Sequence, residues 1–148
     1  MVKLYYRGMM DENGKPKIGR SARLLGVRIG IDINVEQMPL GYLDQQDYLL
    51  PESERKFRGE LVSVAIKDTK GMSVSLSIEG LPATRKPAKF GGIGKDPLWE
   101  IDDSNINGDL LAFQDSPTHV SILPRVTMLL EKYELALANT QNYWQRVD

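Results

Sequence analysis

The sequence predicts an α+β fold with a split, antiparallel-rich β-sheet core and flanking helices. Short runs rich in β-forming residues alternate apolar and small polar side chains with a period of two. Their order along the chain does not alternate with helices as parallel sheets require. A final segment carries apolar residues at helical spacing. With 148 residues, 41% apolar and 26% charged, we expect residues 1–148 to form one domain.

The predicted strands share the period-two pattern and end at Gly, Pro or acidic turns. They cover residues 2–7, 61–66, 72–78, 98–101, 110–113 and 119–123. In the run 72–78 the apolar residues share one face, and Ser73, Ser75 and Ser77 share the other. Burying hydroxyls without partners costs free energy, so a serine face predicts contact with a ligand or with backbone.

Two helices and two irregular segments are also predicted. Ser21 is a candidate cap for a short helix over 22–25 that ends at Gly26. Thr127 is a candidate cap for the C-terminal helix over 127–143. The segments 35–59 and 80–97 are rich in Pro, Gly and charge, which favours long loops over regular structure.

Composition excludes several classes of site. The chain has no Cys and one His, which excludes zinc fingers, iron–sulfur clusters, thiolate chemistry and multi-histidine metal sites. We therefore predict no metal site. With His119 as the lone imidazole, we expect neither a two-histidine ribonuclease mechanism nor a serine triad. The chain also lacks a GxSxG elbow, a Walker loop and an HExxH pair.

Charge is distributed unevenly, although the net charge is −1. Residues 1–30 hold seven Lys and Arg, residues 85–95 hold four with no acid, and residues 96–115 hold six acids with no base. These blocks are either solvated faces or an anion site built from the two basic segments. Within the second block, the glycines of 91–94 beside Lys95 predict either a weak phosphate cradle or a flexible basic loop.

No targeting signal or membrane span is visible in the sequence. The first residues lack an apolar run of signal-peptide length, and no stretch reaches the length of a membrane-spanning helix. We expect the protein to be cytoplasmic or to leave the cell by a signal-free route.

Three separated stretches match a known catalytic layout. An early strand ends in Tyr6-Arg7-Gly8, the serine run contains Ser73-Val74-Ser75, and a later short strand carries Glu100. This order resembles the Arg, Ser-x-Ser, Glu layout of ADP-ribosyltransferases. More specifically, the second half of the chain resembles the ADP-ribosyltransferase-like toxins of bacterial type VI secretion, the family of the second Tse effector. Further matching stretches are 71–75, 99–102, 115–128 and a helix with Tyr133, whereas 30–60 is unmatched.

The resemblance implies a cleft that holds NAD. It implies that Arg7, with Tyr6 beside it, holds the phosphates or the nicotinamide ribose. Ser73 and Ser75 would brace that ribose. Independently of the resemblance, Lys95 of the basic glycine-rich loop is a candidate for binding the cofactor. The remaining implied roles belong to Glu100, which would stabilise positive charge as nicotinamide leaves, and to His119, which would orient substrate. The sequence has one Glu where the transferase pattern usually carries Gln/Glu-x-Glu.

The implied function is that of a toxin: an NAD-dependent ADP-ribosyltransferase that modifies an intracellular target and inhibits growth. An immunity protein or antitoxin is the implied partner. Two alternatives remain at this point: a non-catalytic member of the same fold that binds a protein, and an unrelated RNA-directed α+β domain supported only by the basic segments. Titration with NAD and an assay of nicotinamide release separate the transferase from both alternatives.

Overall fold

The computed structural model describes residues 2–147. Short strands dominate it, with a single α-helix among the described residues. The strands are β1 (Leu4–Gly8), β2 (Asp11–Glu12), β3 (Lys15–Pro16), β4 (Val35–Pro39), β5 (Leu61–Ala65), β6 (Met72–Ser75), β7 (Leu98–Asp102), β8 (Leu110–Gln114), β9 (His119–Pro124), β10 (Met128–Leu129) and β11 (Gln145–Arg146). The helix α1 spans Leu130–Ala138.

The strands form one large antiparallel sheet, a smaller one and a hairpin. The large sheet has six strands in the order β11-β7-β1-β6-β9-β8, and every neighbouring pair in it is antiparallel. The smaller sheet has the order β10-β5-β4, and β2 pairs with β3. This is the α+β architecture that the sequence predicts, with antiparallel sheets and a flanking helix.

The core lies between one face of the large sheet and α1. Its members come from alternate positions of the central strands together with the inner face of the helix: Tyr5, Trp99, Ile101, Met72, Val74, Val120, Ile122, Leu130, Tyr133 and Leu137. Burying one large apolar side chain stabilises a fold by about 1.5–3 kcal/mol. Tyr133 also fixes the helix to the sheet, since its hydroxyl donates to the Ile122 carbonyl at 2.6 Å and accepts from the Met72 amide at 3.3 Å.

The predicted strands are confirmed, with changes at their ends. The largest change is in the serine run, where the strand ends at Ser75 instead of residue 78. The Ser75 hydroxyl donates to the Ser77 carbonyl at 2.7 Å and accepts from the Ser77 amide at 3.3 Å. This local bonding turns the chain out of the sheet, so Ser77 does not continue the face of Ser73 and Ser75.

The prediction of a helix over 22–25 is wrong. Leu25 donates its amide to the Lys17 carbonyl at 2.7 Å and accepts from the Gly19 amide at 3.2 Å. These bonds to a neighbouring segment replace the bonds of a helical turn. Ser21 still caps locally, since its hydroxyl accepts from the Arg23 amide at 3.1 Å.

The C-terminal helix is shorter than the predicted 127–143. Met128 and Leu129 pair with β5 as strand β10, and the Thr127 hydroxyl accepts from the Lys67 amide at 2.9 Å instead of capping the helix. The α-helix ends at Ala138, after which Gln141–Tyr143 form a 3-10 turn.

The segment 35–59 is more ordered than its composition indicates. Val35–Pro39 forms strand β4, which pairs with β5 over five positions. The strand forms because it pairs with β5, a partner that the local sequence does not reveal. No helix among residues 2–147 has the length and apolar character that crossing a membrane requires.

Candidate active site

A pocket opens where the large sheet splits between β1 and β6. These neighbouring strands share one paired position, Tyr6 with Ser75. The pocket has a volume of about 330 Å³. Its lining is Arg7, Gly8, Ala22, Arg28, Asp32, Ser73, Val74, Ser75, Gly80, Leu81, Pro82, Arg85 and His119. Arg7, Ser73 and Ser75 all belong to this lining, although strand alternation places Arg7 on the core face and the two serines on the opposite face; the site and the roles given to these residues stay predictions.

Arg7 holds the walls of this pocket together. Strand alternation directs it to the core face, where it pairs with Trp99, and it is only 7% exposed. Its guanidinium donates to the Ser73 carbonyl at 2.7 Å and to the Leu24 carbonyl at 2.8 Å from Nη2 and 3.3 Å from Nε. Burial lowers the Arg7 pKa to about 10. The side chain thus bridges β6 and the 21–26 turn at the point where strand pairing stops.

Gly8 lets the opposite wall approach β1. A Cβ atom at this position would lie 2.7 Å from the Arg85 carbonyl oxygen, closer than backbone atoms tolerate. Any other residue would push the 80–85 loop outward and open the pocket. The glycine that ends the early strand in the sequence is therefore required by this close approach.

The charged groups of the pocket differ in how they are neutralised. Arg28 and Asp32 form a two-pronged ion pair, with Nε–Oδ2 at 3.0 Å and Nη2–Oδ1 at 2.9 Å. Burial acts to raise the Asp32 pKa, but hydrogen bonds from the Arg28 side chain and backbone hold that pKa below its ordinary value. Arg85 is half-buried, and no described residue forms a hydrogen bond or ion pair with its side chain. The charge of Arg85 acts on Arg7, whose pKa it helps to lower, so Arg85 is a cation at the pocket that is available to an anion.

Three side chains at the pocket form a hydrogen-bonded chain. The Nε2 of His119 lies 3.1 Å from the Ser73 hydroxyl, and its Nδ1 lies 2.6 Å from Oδ1 of Asp115. The β8–β9 turn positions the ring, because the Ser116 hydroxyl accepts from the His119 amide at 2.8 Å. The prediction that the chain holds no Ser–His–Asp arrangement is wrong, because such an arrangement needs only one imidazole.

Four of the candidate residues lie in one row across the sheet. The register aligns Glu100 with Tyr6, Tyr6 with Ser75, and Ser75 with His119, so their side chains share a face. Burial raises the Tyr6 pKa, with further contributions from the negative charges of Glu100 and Glu79. Tyr6 and Glu100 lie outside the pocket lining. With strands about 4.8 Å apart, the Glu100 backbone is roughly 10 Å from that of Ser75.

The glycine-rich segment does not form a phosphate cradle. The amides of residues 91–94 donate to the carbonyls of Ala88, Pro87, Ala83 and Lys86, so none of the four is free to bind an anion. Lys95 is exposed and lies outside the pocket lining. Its role in cofactor binding stays a prediction.

The first basic segment is largely neutralised by ion pairs. Arg20 pairs with Glu134 at 2.7 Å, and Arg23 pairs with Asp96 at 2.7 Å. Together with the Arg28–Asp32 pair and buried Arg7, these contacts account for four of the seven cations of that segment. The hypothesis of an RNA-directed domain is therefore weakened for residues 1–30.

Sequence reasoning missed Asp115 as a site residue and did not single out Arg85. Asp115 stands four residues before His119 across a Ser-Pro turn, a spacing that brings the two ends of a hairpin together. Arg85 lies in the predicted basic loop together with exposed Lys89, and nothing in the sequence distinguishes the one cation from the other. No group of three or more His, Asp or Glu side chains among residues 2–147 is arranged to hold a metal ion.

Comparison with known proteins assigns the chain to a family. Neither the curated proteins nor the solved structures contain a match to this chain. The model of the family described as the Tse2 ADP-ribosyltransferase toxin matches residues 3–144. This span includes every strand of the split sheet except the two residues of β11, together with the pocket and α1. The chain therefore belongs to the Tse2 ADP-ribosyltransferase toxin family.

Proposed function

We propose that this protein is a toxin that binds NAD in the pocket between β1 and β6 and transfers its ADP-ribosyl group to an acceptor. The observation that carries the proposal is the half-buried Arg85, which faces a pocket lined by Ser73, Ser75 and His119 without a counter-ion. In bound NAD the ADP-ribosyl group is joined to a positively charged nicotinamide ring, which leaves as neutral nicotinamide. Family membership supports the same class of reaction.

The pocket residues fit one end of a dinucleotide. Small-molecule pockets range over about 300–1,000 Å³, so a cavity near 330 Å³ accommodates the nicotinamide ribose and leaves the adenosine toward the open side. Arg85 would pair with the diphosphate, since a guanidinium forms two parallel hydrogen bonds with phosphate oxygens. Ser73 and Ser75 would bond the ribose hydroxyls.

Glu100 remains the proposed carboxylate that stabilises positive charge as the glycosidic bond opens. Its place in the row with Tyr6 and Ser75 supports this role, because all three lie on the sheet face that carries Ser73 and His119. Such a group acts on charge that appears only in the transition state. Arg7, in contrast, is proposed to act on NAD through its one Nη1 hydrogen that no described residue accepts, while its other bonds shape the pocket.

NAD titration by calorimetry, with an assay of nicotinamide release, tests this proposal. We compare the parent with Arg85→Gln and with Lys89→Gln, an exposed cation of the same loop outside the pocket lining. We expect Arg85→Gln to weaken NAD binding by about 10–100-fold, the value of a charge-assisted hydrogen bond. Lys89→Gln should bind like the parent. A parent that neither binds NAD nor releases nicotinamide contradicts the proposal.

We propose further that the protein acts in the cytoplasm on a macromolecular target, that it reaches that site as a type VI secretion effector, and that an immunity protein neutralises it. Expression from an inducible promoter in a bacterial cytoplasm tests the toxic effect. Growth should stop with the parent and with Lys89→Gln, and continue with Arg85→Gln. Equal growth of all three strains at equal protein level contradicts the proposal of toxicity.

A further inference from the structure

We propose that Ser73 is an activated nucleophile, in a proton relay with His119 and Asp115, and that it accepts the ADP-ribosyl group itself. The acceptor assignment rests on the function proposed above, whereas the reactivity of Ser73 does not.

The geometry of the three side chains carries the proposal. The Ser73 hydroxyl is 3.1 Å from Nε2 of His119, and Nδ1 of the same ring is 2.6 Å from Asp115. If Nδ1 donates its hydrogen to the Asp115 carboxylate, Nε2 carries a lone pair that accepts from the Ser73 hydroxyl. Asp115 thereby fixes the tautomer in which the ring acts as a base toward Ser73.

The arrangement is held in place from both sides. Ser73 lies on β6 opposite Ser121 of β9, so its backbone is fixed by the centre of the sheet. His119 begins β9, and the Ser116 hydroxyl accepts from its amide. The Ser73 side chain is exposed at the pocket, so an electrophile has access to it.

The proposed step balances as follows. Ser73 Oγ forms a bond to C1′ of the nicotinamide ribose, and the bond from C1′ to the nicotinamide nitrogen breaks. The electron pair of that bond leaves with nicotinamide, which becomes neutral. The hydroxyl proton moves to Nε2 of His119, and the resulting imidazolium faces the Asp115 carboxylate. The product is one ADP-ribosyl group per chain, attached as a glycoside of Ser73.

The reactivity of Ser73 is tested without NAD by a fluorophosphonate probe, which forms a covalent bond with activated serines. We expect labelling at one residue, which peptide mass spectrometry places at Ser73, and none in Ser73→Ala. Asp115→Asn should lower the rate constant of bond formation by about 10²–10⁴-fold, the range of general base catalysis, and leave the binding constant of the probe unchanged. A merely structural role would not separate these two constants.

Two variants serve as matched controls. Asp47→Asn removes the same charge at a site outside the pocket lining, where the positive φ of 64° suits Asn as well as Asp. Ser63→Ala removes a serine hydroxyl from β5. Both should label like the parent, and thermal unfolding confirms that every variant is folded. Absence of labelling in the parent, labelling at another serine, or parental rates in folded Asp115→Asn would overturn the relay.

Incubation of the full chain with NAD tests Ser73 as the acceptor. We expect a mass increase of one ADP-ribosyl group at Ser73, which Asp115→Asn slows and Asp47→Asn does not. Nicotinamide release without an adduct at Ser73 overturns the acceptor assignment and leaves the proposed function standing. Labelling by the probe with no nicotinamide release overturns the proposed function and the acceptor assignment together, but not the relay.

Discussion

Arg7 and Arg85 line the same pocket, but substitution of Arg7 should lower the stability of the fold whereas substitution of Arg85 should not. Arg7→Ala removes two short hydrogen bonds, to the carbonyls of Ser73 at 2.7 Å and Leu24 at 2.8 Å. A hydrogen bond to a charged group contributes about 1.5–3 kcal/mol, so the two bonds amount to roughly 3–6 kcal/mol. Removing the buried charge returns part of its desolvation free energy, which places the net loss in the lower part of this range, at about 3–5 kcal/mol.

This loss is large enough to measure by thermal unfolding. For a chain of this size, 1 kcal/mol shifts the midpoint by about 2–4 °C, so Arg7→Ala should unfold roughly 6–20 °C below the parent. Arg85→Ala removes a side chain that no described residue bonds, and its unfolding free energy should change by less than about 0.5 kcal/mol.

Both substitutions should weaken NAD binding, but only Arg7→Ala should also lower stability. Arg85→Ala should remain folded and bind NAD about 10–100-fold more weakly. Arg7→Ala should weaken NAD binding as well, because it removes both a contact with NAD and a side chain that holds the pocket wall. Its loss of affinity should therefore accompany its loss of stability. Scanning calorimetry and NAD titration on the same samples give both quantities. An Arg7→Ala variant that unfolds within about 2 °C of the parent would refute the bracing role assigned here.

Three further predictions follow from particular contacts. Glu100→Gln should bind NAD like the parent, and its rate of nicotinamide release in single turnover should fall by about 10²–10³-fold. A parental rate would rule out Glu100 as the carboxylate that stabilises the transition state. Because the Asp32 pKa is lowered from 3.8, its stabilising effect is present above about pH 4 and lost as the pH falls below it. The stability gap between the parent and Asp32→Asn should therefore close in urea unfolding on acidification, and a constant gap would contradict this. Tyr133→Phe leaves the Ile122 carbonyl and the Met72 amide without the tyrosine hydroxyl as a partner. The free energy of unfolding in urea should fall by about 1–3 kcal/mol, with NAD affinity unchanged. An unaltered free energy of unfolding would exclude the role of Tyr133 in fixing the helix to the sheet.

The strands could be predicted because their signal is local. Alternation in 61–65 and 72–75 shows which residues face the core, and the structure forms β5 and β6 there. The failures are contacts between distant segments. β4 exists because it pairs with β5, and the 22–25 turn exists because Leu25 bonds Lys17 and Gly19. Neither partner is visible from the local composition.

In the site too, the residues that depend on contacts between distant segments could not be predicted from the local sequence. Ser73 and Arg7 could be brought together only through resemblance to a known layout, since residue spacing alone says nothing about a contact between positions 7 and 73. Asp115 escaped prediction because its importance lies in a hairpin turn that places it 2.6 Å from His119. Arg85 was not singled out because a cation that is available to a ligand differs from a solvated cation only in its partial burial and its lack of a partner. Both properties are set by the fold.

The place of the pocket in the sheet has a physical cause in Arg7. An antiparallel pair would continue past Tyr6 and Ser75 if the next carbonyls on β6 met amides on β1. The Ser73 carbonyl instead accepts from the Arg7 guanidinium at 2.7 Å. That bond satisfies the carbonyl without drawing the strands together, because a long side chain spans a gap that a backbone amide cannot. A charged side chain has thus replaced a rung of the ladder, and the split that holds Ser73, Ser75 and His119 around one cavity persists without leaving a buried carbonyl unpaired.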